Sequence, residues 1–265
     1  MYAFTYHKAA SVADAAAALA KNPDAKVLAG GQSLIATMKL RLAAPAALVD
    51  LGGIDELRGI KSDGKNLVIG AMTRHGEVVF SADVEKAIPA LAHLAGEIGD
   101  RMVRNMGTLG GAIAHSDPAA DYPAGVLGLA ATIVTNKRKI AADDFFKGLY
   151  ETALEPGEII TSVSFPIPKR AAYMKFKQPA SRFALVGVFV ADTGAGVRVA
   201  VTGAGPCAYR VPEMETALGA KFSPDSVANV KVPAKGLNSD IHASAEYRAH
   251  LVTVMAKRAV AAALG

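Results

Sequence analysis

Two glycine clusters, Ala29-Gly30-Gly31-Gln32-Ser33 and Gly107-Thr108-Leu109-Gly110-Gly111, constrain this 265-residue chain more than any other feature. Each lies between apolar runs, so each reads as a tight loop joining packed elements. Adjacent glycines let successive backbone N–H groups turn toward one concavity, which makes an anion-binding nest. Ser33 and Thr108 place hydroxyl donors beside those amides. Either loop alone reads as a structural turn. Two of them, separated by a whole supersecondary unit, suggest a clamp on a pyrophosphate that carries no metal.

The flanking pattern supports that reading. Ser11 is placed to cap a helix through Val12, Ala16 and Leu19, with Asp14 in its first turn, and Asn22-Pro23 ends it. Ala25 to Leu28 is a short strand running into the first glycine loop. Ser33 to Leu42 is a predicted helix with Leu34, Ile35, Met38 and Leu42 on one apolar face, and Ala47 to Leu51 resumes a strand. The first loop therefore sits at a helix N-terminus, where the dipole favours an anion.

A second unit begins near Leu57, with a strand at Leu67 to Gly70, a helix from Pro89 to Ile98 and a strand from Glu158 to Phe165. Beyond about Tyr173 the pattern changes. Phe183 to Ala191 and Val197 to Thr202 form a hairpin across Asp192-Thr193-Gly194-Ala195-Gly196, and Leu251, Val254, Met255, Ala259 and Ala262 recur at helical spacing. The expected fold class is α+β. Residues 1–176 form a first domain in two subdomains, about 1–56 and 57–176, and residues 177–265 a small antiparallel sheet with helices.

Composition narrows the chemistry. Hydrophobic residues make up 51%, yet no apolar run is long enough to span a bilayer, and the start lacks the pattern of a secretory signal. A cytoplasmic protein without a transmembrane segment is expected, with peripheral contact at the inner membrane face left open. The net charge of +5 is scattered, and its only run, Lys137-Arg138-Lys139, lies in a hairpin turn and reads as a solvated loop. With 6% aromatic residues and no Trp, nucleic-acid binding is not expected.

Cys207 alone can build no disulfide, zinc site or iron–sulfur cluster. With no activating His nearby it reads as a small half-buried hydrophobe, and any redox metal belongs to another chain. The formal dinucleotide pattern Gly203-Ala204-Gly205-Pro206-Cys207-Ala208 is set aside, because Pro206 removes a donor and the preceding strand belongs to a hairpin. The six histidines show no metal-ligand spacing. His115 reads as a structural or cofactor-lining residue. Asp117 and Asp121 can cap the following helix or accept hydrogen bonds from sugar-like hydroxyls. Arg101 and Arg104 are surface arginines or contacts to phosphate or a partner. Lys177 follows Tyr173 and Lys175 on one strand face.

These residues carry a resemblance. Ala29-Gly30-Gly31-Gln32-Ser33-Leu34 with Met38-Lys39-Leu40-Arg41-Leu42 resembles the first FAD-binding loop of the molybdenum hydroxylase flavoprotein subunits. Arg104-Asn105-Met106-Gly107-Thr108-Leu109-Gly110-Gly111, followed by Ser116-Asp117-Pro118-Ala119-Ala120-Asp121, resembles the second. Ala180-Ser181-Arg182-Phe183-Ala184-Leu185-Val186 is similar to the opening of their C-terminal domain. The likeness, closest in style to the aerobic carbon monoxide dehydrogenase and xanthine dehydrogenase group, runs nearly end to end.

The resemblance implies a two-subdomain FAD-binding domain of the vanillyl-alcohol oxidase (PCMH) type. It implies cofactor-binding positions at Ala29, Gly30, Gly31, Gln32, Ser33 and Leu34, and at Thr108, Gly110, Gly111 and Ala112. It further implies Asp121 near the flavin's hydroxylated chain, Ile98 and Ile160 as apolar positions, and Lys177 beside the flavin. Met106 stands where the family pattern leads one to expect arginine. No catalytic or metal-binding residue is expected on this chain.

The implied function is an electron-transfer flavoprotein subunit with FAD. Its expected partners are a large molybdenum cofactor-binding subunit and a small subunit with [2Fe-2S] clusters, in a dimer of heterotrimers. Quinone, NAD or oxygen would accept the electrons. The alternatives are a self-sufficient flavin oxidase of the same fold and a non-catalytic FAD-binding assembly module.

Overall fold

The capping signal at Ser11 is used as predicted. In the computed structural model, which describes residues 1–265, the Asp14 amide donates to the Ser11 hydroxyl at 3.1 Å to open helix Val12–Lys21, and Asn22 leaves it in extended conformation. This helix connects Thr5–Lys8 to Ala25–Leu28, and both strands pair in parallel with the central Ala47–Asp50. Ala47 and Val49 of the central strand are buried with Ala15, Ile54 and Leu57 in one small cluster. The first glycine loop leaves the edge strand Ala25–Leu28 directly.

The helix after that loop is shorter than its apolar pattern predicts. It spans Leu34–Lys39, not Ser33 to Leu42. Arg41 adopts the left-handed conformation at φ 61°, the Leu42 amide returns to the Thr37 carbonyl at 2.9 Å, and the Arg41 amide to that of Met38 at 3.1 Å. This is a Schellman closure with arginine where glycine is usual. Leu40 and Leu42 are consequently exposed, and only Met38 buries fully.

The second subdomain is an antiparallel five-stranded sheet in the spatial order Ile60–Ser62, Asn66–Gly70, Ile160–Pro166, Thr132–Thr135, Lys139–Ala141. Leu67, Ile69, Ile133, Val163 and Phe165 pack in one cluster with Leu91, Leu94, Leu109, Ile113 and Tyr122 from the helices. The helix expected to reach Ile98 ends at Gly96, which leaves Ile98 in a half-buried corner. The strand expected from Glu158 starts at Ile160.

Glu158 has its own role. Its buried carboxylate accepts from Arg138 Nε at 3.0 Å, the Thr135 hydroxyl at 2.7 Å and the Glu155 amide at 2.8 Å. The Lys137–Lys139 run is thus not a wholly solvated loop, because its central arginine closes this network. These bonds, Arg138 first, hold the Glu158 carboxyl down to about 2, against an ordinary 4.5. A carboxyl depressed on folding contributes fully above its unfolded pKa and loses that contribution as pH falls through the folded value. Urea unfolding between pH 5 and 2 is therefore expected to show roughly 3 kcal/mol of acid-sensitive stability that Glu158→Gln lacks. Parallel curves for the two proteins would refute it.

Arg170–Lys177, Ala184–Asp192, Val197–Thr202 and Tyr209–Arg210 form the C-terminal antiparallel sheet. Arg170–Lys177 pairs with Ala184–Asp192, so the strand that opens this sheet lies before the expected boundary at residue 177. Val186, Val188 and Val190 pack against the terminal helix Ala245–Leu264, while Phe189 and Ala191 join the core of the second subdomain. A strand buried on both faces reads as one continuous apolar run. No helix is long and apolar enough to cross a membrane.

Candidate cofactor site

The two glycine loops touch. A Cβ on Gly30 would lie 2.1 Å from the Met106 carbonyl oxygen and 2.8 Å from Gly107 Cα, and one on Gly111 would lie 3.4 Å from Ala29 Cβ. Only a residue without a side chain lets the backbones approach this closely.

The backbone amides of Ala29, Gly30, Gly31, Gln32, Ser33 and Leu34 donate to no acceptor in the chain, and neither does that of Thr108. Ser33 makes no capping bond, and the Gln32 and Ser33 side chains are exposed. The first loop is thus a row of free donors running into a helix start, with Gly31 at φ 72° turning the chain between them. Such a concavity takes an anion of several oxygens.

The second loop contributes mainly shape. Thr108 caps helix Leu109–His115, its hydroxyl oxygen accepting from the Gly111 amide at 3.2 Å. Gly110 donates to the Ala71 carbonyl at 2.8 Å, and a Cβ there would lie 2.6 Å from Ala71 Cβ. Ala112 donates to the Thr108 carbonyl at 3.0 Å. Gly110 therefore serves helix-on-strand packing, and the amides of Gly110, Gly111 and Ala112 are already engaged, unlike those of the first loop.

His75 supports this loop from beneath, a role no sequence signal marks. Its amide donates to the Gly107 carbonyl at 2.9 Å, and a Cβ on Gly107 would strike its Nε2 at 2.5 Å. The ring lies 5.3 Å from that of Tyr122. Burial, aided by the Arg104 charge, holds the imidazole down to about 4, so it is neutral near pH 7.

The other expected positions separate into two groups. Arg104 Nη1 donates to the Ile98 carbonyl at 2.9 Å and that of Gly99 at 3.2 Å, so it struts the Ile98 corner to helix Arg101–Met106 rather than facing a phosphate. Lys177 Nζ lies 2.8 Å from Glu97 Oε2, beside Ile98 in the chain. Its charge is therefore partly offset. Ile160 is buried on the other side, where the Thr161 carbonyl accepts from the Ala71 amide at 2.9 Å behind Gly110.

Asp121 is not an open acceptor. Its carboxylate takes the Tyr173 hydroxyl at 2.5 Å and Lys175 Nζ at 2.9 Å, and it makes no cap bond to helix Tyr122–Gly128. Lys175 Nζ also donates to the Glu97 carbonyl at 3.0 Å. Burial pushes the Asp121 carboxyl up from its usual range while Lys175 opposes the shift. Asp117 instead holds a turn through the Ala119 amide at 2.8 Å. His115 packs against Tyr150 with ring centroids 5.0 Å apart, a structural contact.

Residues 2–168 match the FAD binding domain in molybdopterin dehydrogenase, and residues 171–263 the CO dehydrogenase flavoprotein C-terminal domain. The chain belongs to the FAD-binding medium subunits of the molybdenum hydroxylases.

It is 38% identical to the nicotine 6-hydroxylase medium subunit of Paenarthrobacter nicotinovorans, over 97% of this chain and 96% of that one. Against the carbon monoxide dehydrogenase medium chain of Hydrogenophaga pseudoflava the identity is 37%, over 98% and 96%. The carbon monoxide dehydrogenase structure from that organism, lacking its Mo-pyranopterin moiety, superposes with a TM-score of 0.90 over 99% of this chain and 98% of that chain. Quinoline 2-oxidoreductase from Pseudomonas putida 86 gives the same score at 32% identity, over 99% and 97%. The residues present fit the family's cofactor in two respects: free amides suited to a pyrophosphate, and two loops in contact.

Proposed function

We propose that this chain is the electron-transfer subunit of a molybdenum-containing hydroxylase, taking electrons from an iron–sulfur subunit and passing them to an external acceptor. The observation that carries the reading is the run of free amides from Ala29 to Leu34 set against the second loop at Gly30. Those amides and the Ser33 hydroxyl would hydrogen-bond a pyrophosphate. Ile98 offers an apolar wall, and the Lys177–Glu97 pair places a partly balanced cation beside it. When bound, FAD supplies the capacity to take up electrons singly and release them in pairs. Orientation and electrostatics are what this chain adds, so it needs neither a nucleophile nor an acid–base pair.

Substrate choice is assigned to a separate large subunit carrying the molybdenum cofactor. In support, relatives named for nicotine, carbon monoxide and glyceraldehyde are 38%, 37% and 34% identical to this chain, a spread too narrow to track substrates so different. The assembly we infer is a cytoplasmic dimer of heterotrimers, with quinone, NAD or oxygen as acceptor.

The test is expression with the neighbouring genes, purification through a tag on this chain, and an absorption spectrum with subunit composition. Flavin, together with two further chains bearing iron–sulfur clusters and molybdenum, is expected. Flavin on a lone chain that an organic substrate reduces directly would overturn the proposal in favour of an oxidase. Absence of flavin would reject the cradle itself.

A further inference from the structure

A second cavity, of about 360 Å³, opens in the C-terminal domain between the Gly203–Ala208 turn, the start of helix Pro212–Ala220 and the irregular segment 231–237. It shares no residue with either glycine loop or with the Glu97–Asp121 region.

Its walls are fixed before any ligand arrives. Asn238 Nδ2 donates to the Gly205 carbonyl at 2.7 Å, and the Asn238 amide to that of Ala204 at 2.8 Å, which staples the irregular segment to the turn. The Tyr209 ring lines this cavity, while its hydroxyl is buried out of reach of solvent. The amides of Gly205 and Cys207 in the same wall donate to nothing in the chain.

Charge narrows the ligand. Lys231 and Lys235 line the cavity without an ion-pair partner, whereas Arg210 is occupied by Glu215 and Asp143. Glu213 in the wall offsets one of the two lysines and repels polyanions. One net positive charge remains beside an apolar lining of Val211, Val232 and Leu237. A compact apolar body with a single negative charge satisfies both.

We propose that this cavity binds a small organic monocarboxylate, its carboxylate lying between Lys231 and Lys235. The formal glycine pattern at 203–208 is then one wall of an acid-binding pocket rather than a dinucleotide loop.

Cys207 is the chain's only thiol and lines the same wall, so its alkylation reports occupancy even inside a larger complex. The experiment follows the rate of iodoacetamide labelling of Cys207 by mass spectrometry in the purified complex. Benzoate is the probe, benzyl alcohol the uncharged control and inorganic phosphate the polyanion control. Saturable protection by benzoate alone is expected. Lys231→Gln with Lys235→Gln should raise the half-protecting concentration about tenfold. An unchanged flavin spectrum confirms that the variant is folded. Equal protection by benzyl alcohol, equal protection by phosphate, no protection, or protection indifferent to these substitutions would each overturn the proposal.

Discussion

A Gly30→Ala chain is expected to fold and to purify with little or no flavin. The added methyl would meet the Met106 carbonyl oxygen at 2.1 Å and Gly107 Cα at 2.8 Å. Both are backbone atoms, so no side chain can swing aside, and the loops must part. Overpacking of this kind costs about 1–3 kcal/mol in stability, which a domain of this size tolerates. The cradle does not, because its two walls must be in register for the amides to converge. If the upper end of that strain is charged to binding, flavin affinity falls by about a hundredfold. The control is Gly219→Ala, on a helix where a Cβ meets nothing within 4 Å. Flavin content read from the absorption spectrum should fall in the first variant and not the second. Full occupancy in Gly30→Ala would show that contact between the loops is irrelevant to holding the cofactor.

The second large effect concerns Asp121 and Lys175. Lys175→Met leaves a carboxylate in the interior with only the Tyr173 hydroxyl for company. Breaking one side of a buried pair costs about 3–5 kcal/mol, whereas replacing both partners by apolar residues is often close to neutral. Asp121→Leu combined with Lys175→Met should therefore recover most of the stability lost in Lys175→Met. The pH dependence gives a second check. Without the lysine, burial of Asp121 is opposed only by the Tyr173 hydroxyl, so its folded pKa rises further above the unfolded value. An acid raised on folding is neutral in both states at low pH and is penalised as pH rises through its unfolded pKa. The gap between Lys175→Met and the parent should widen from pH 4 upward and level off once the folded variant is ionised. A gap independent of pH, or a double variant no better than the single, would refute the pairing.

What could be read without coordinates was what is local. Ser11 and Asp14 are three residues apart, so a cap between them is written in the chain. The first glycine loop could be placed for the same reason, between an apolar strand and an amphipathic helix. Other features depend on partners far along the chain. Tyr173 and Lys175 lie 52 and 54 residues from Asp121, and no pattern around Asp121 separates a buried counter-ion from an open acceptor of hydroxyls. Arg41 closes its helix in a conformation that composition assigns to glycine, so the Leu42 apolar position extended the expected helix too far. Gly30 and Gly110 look equivalent in sequence. One admits a neighbouring loop and the other a neighbouring strand, and only the packing tells them apart.

The unequal anchoring of the two loops has a temporal consequence. The first hangs from a subdomain whose core holds 10 buried residues, the second from one of 32. A ligand held between them would tie the smaller core to the larger one, so loss of FAD and opening of the first subdomain are expected to coincide on heating.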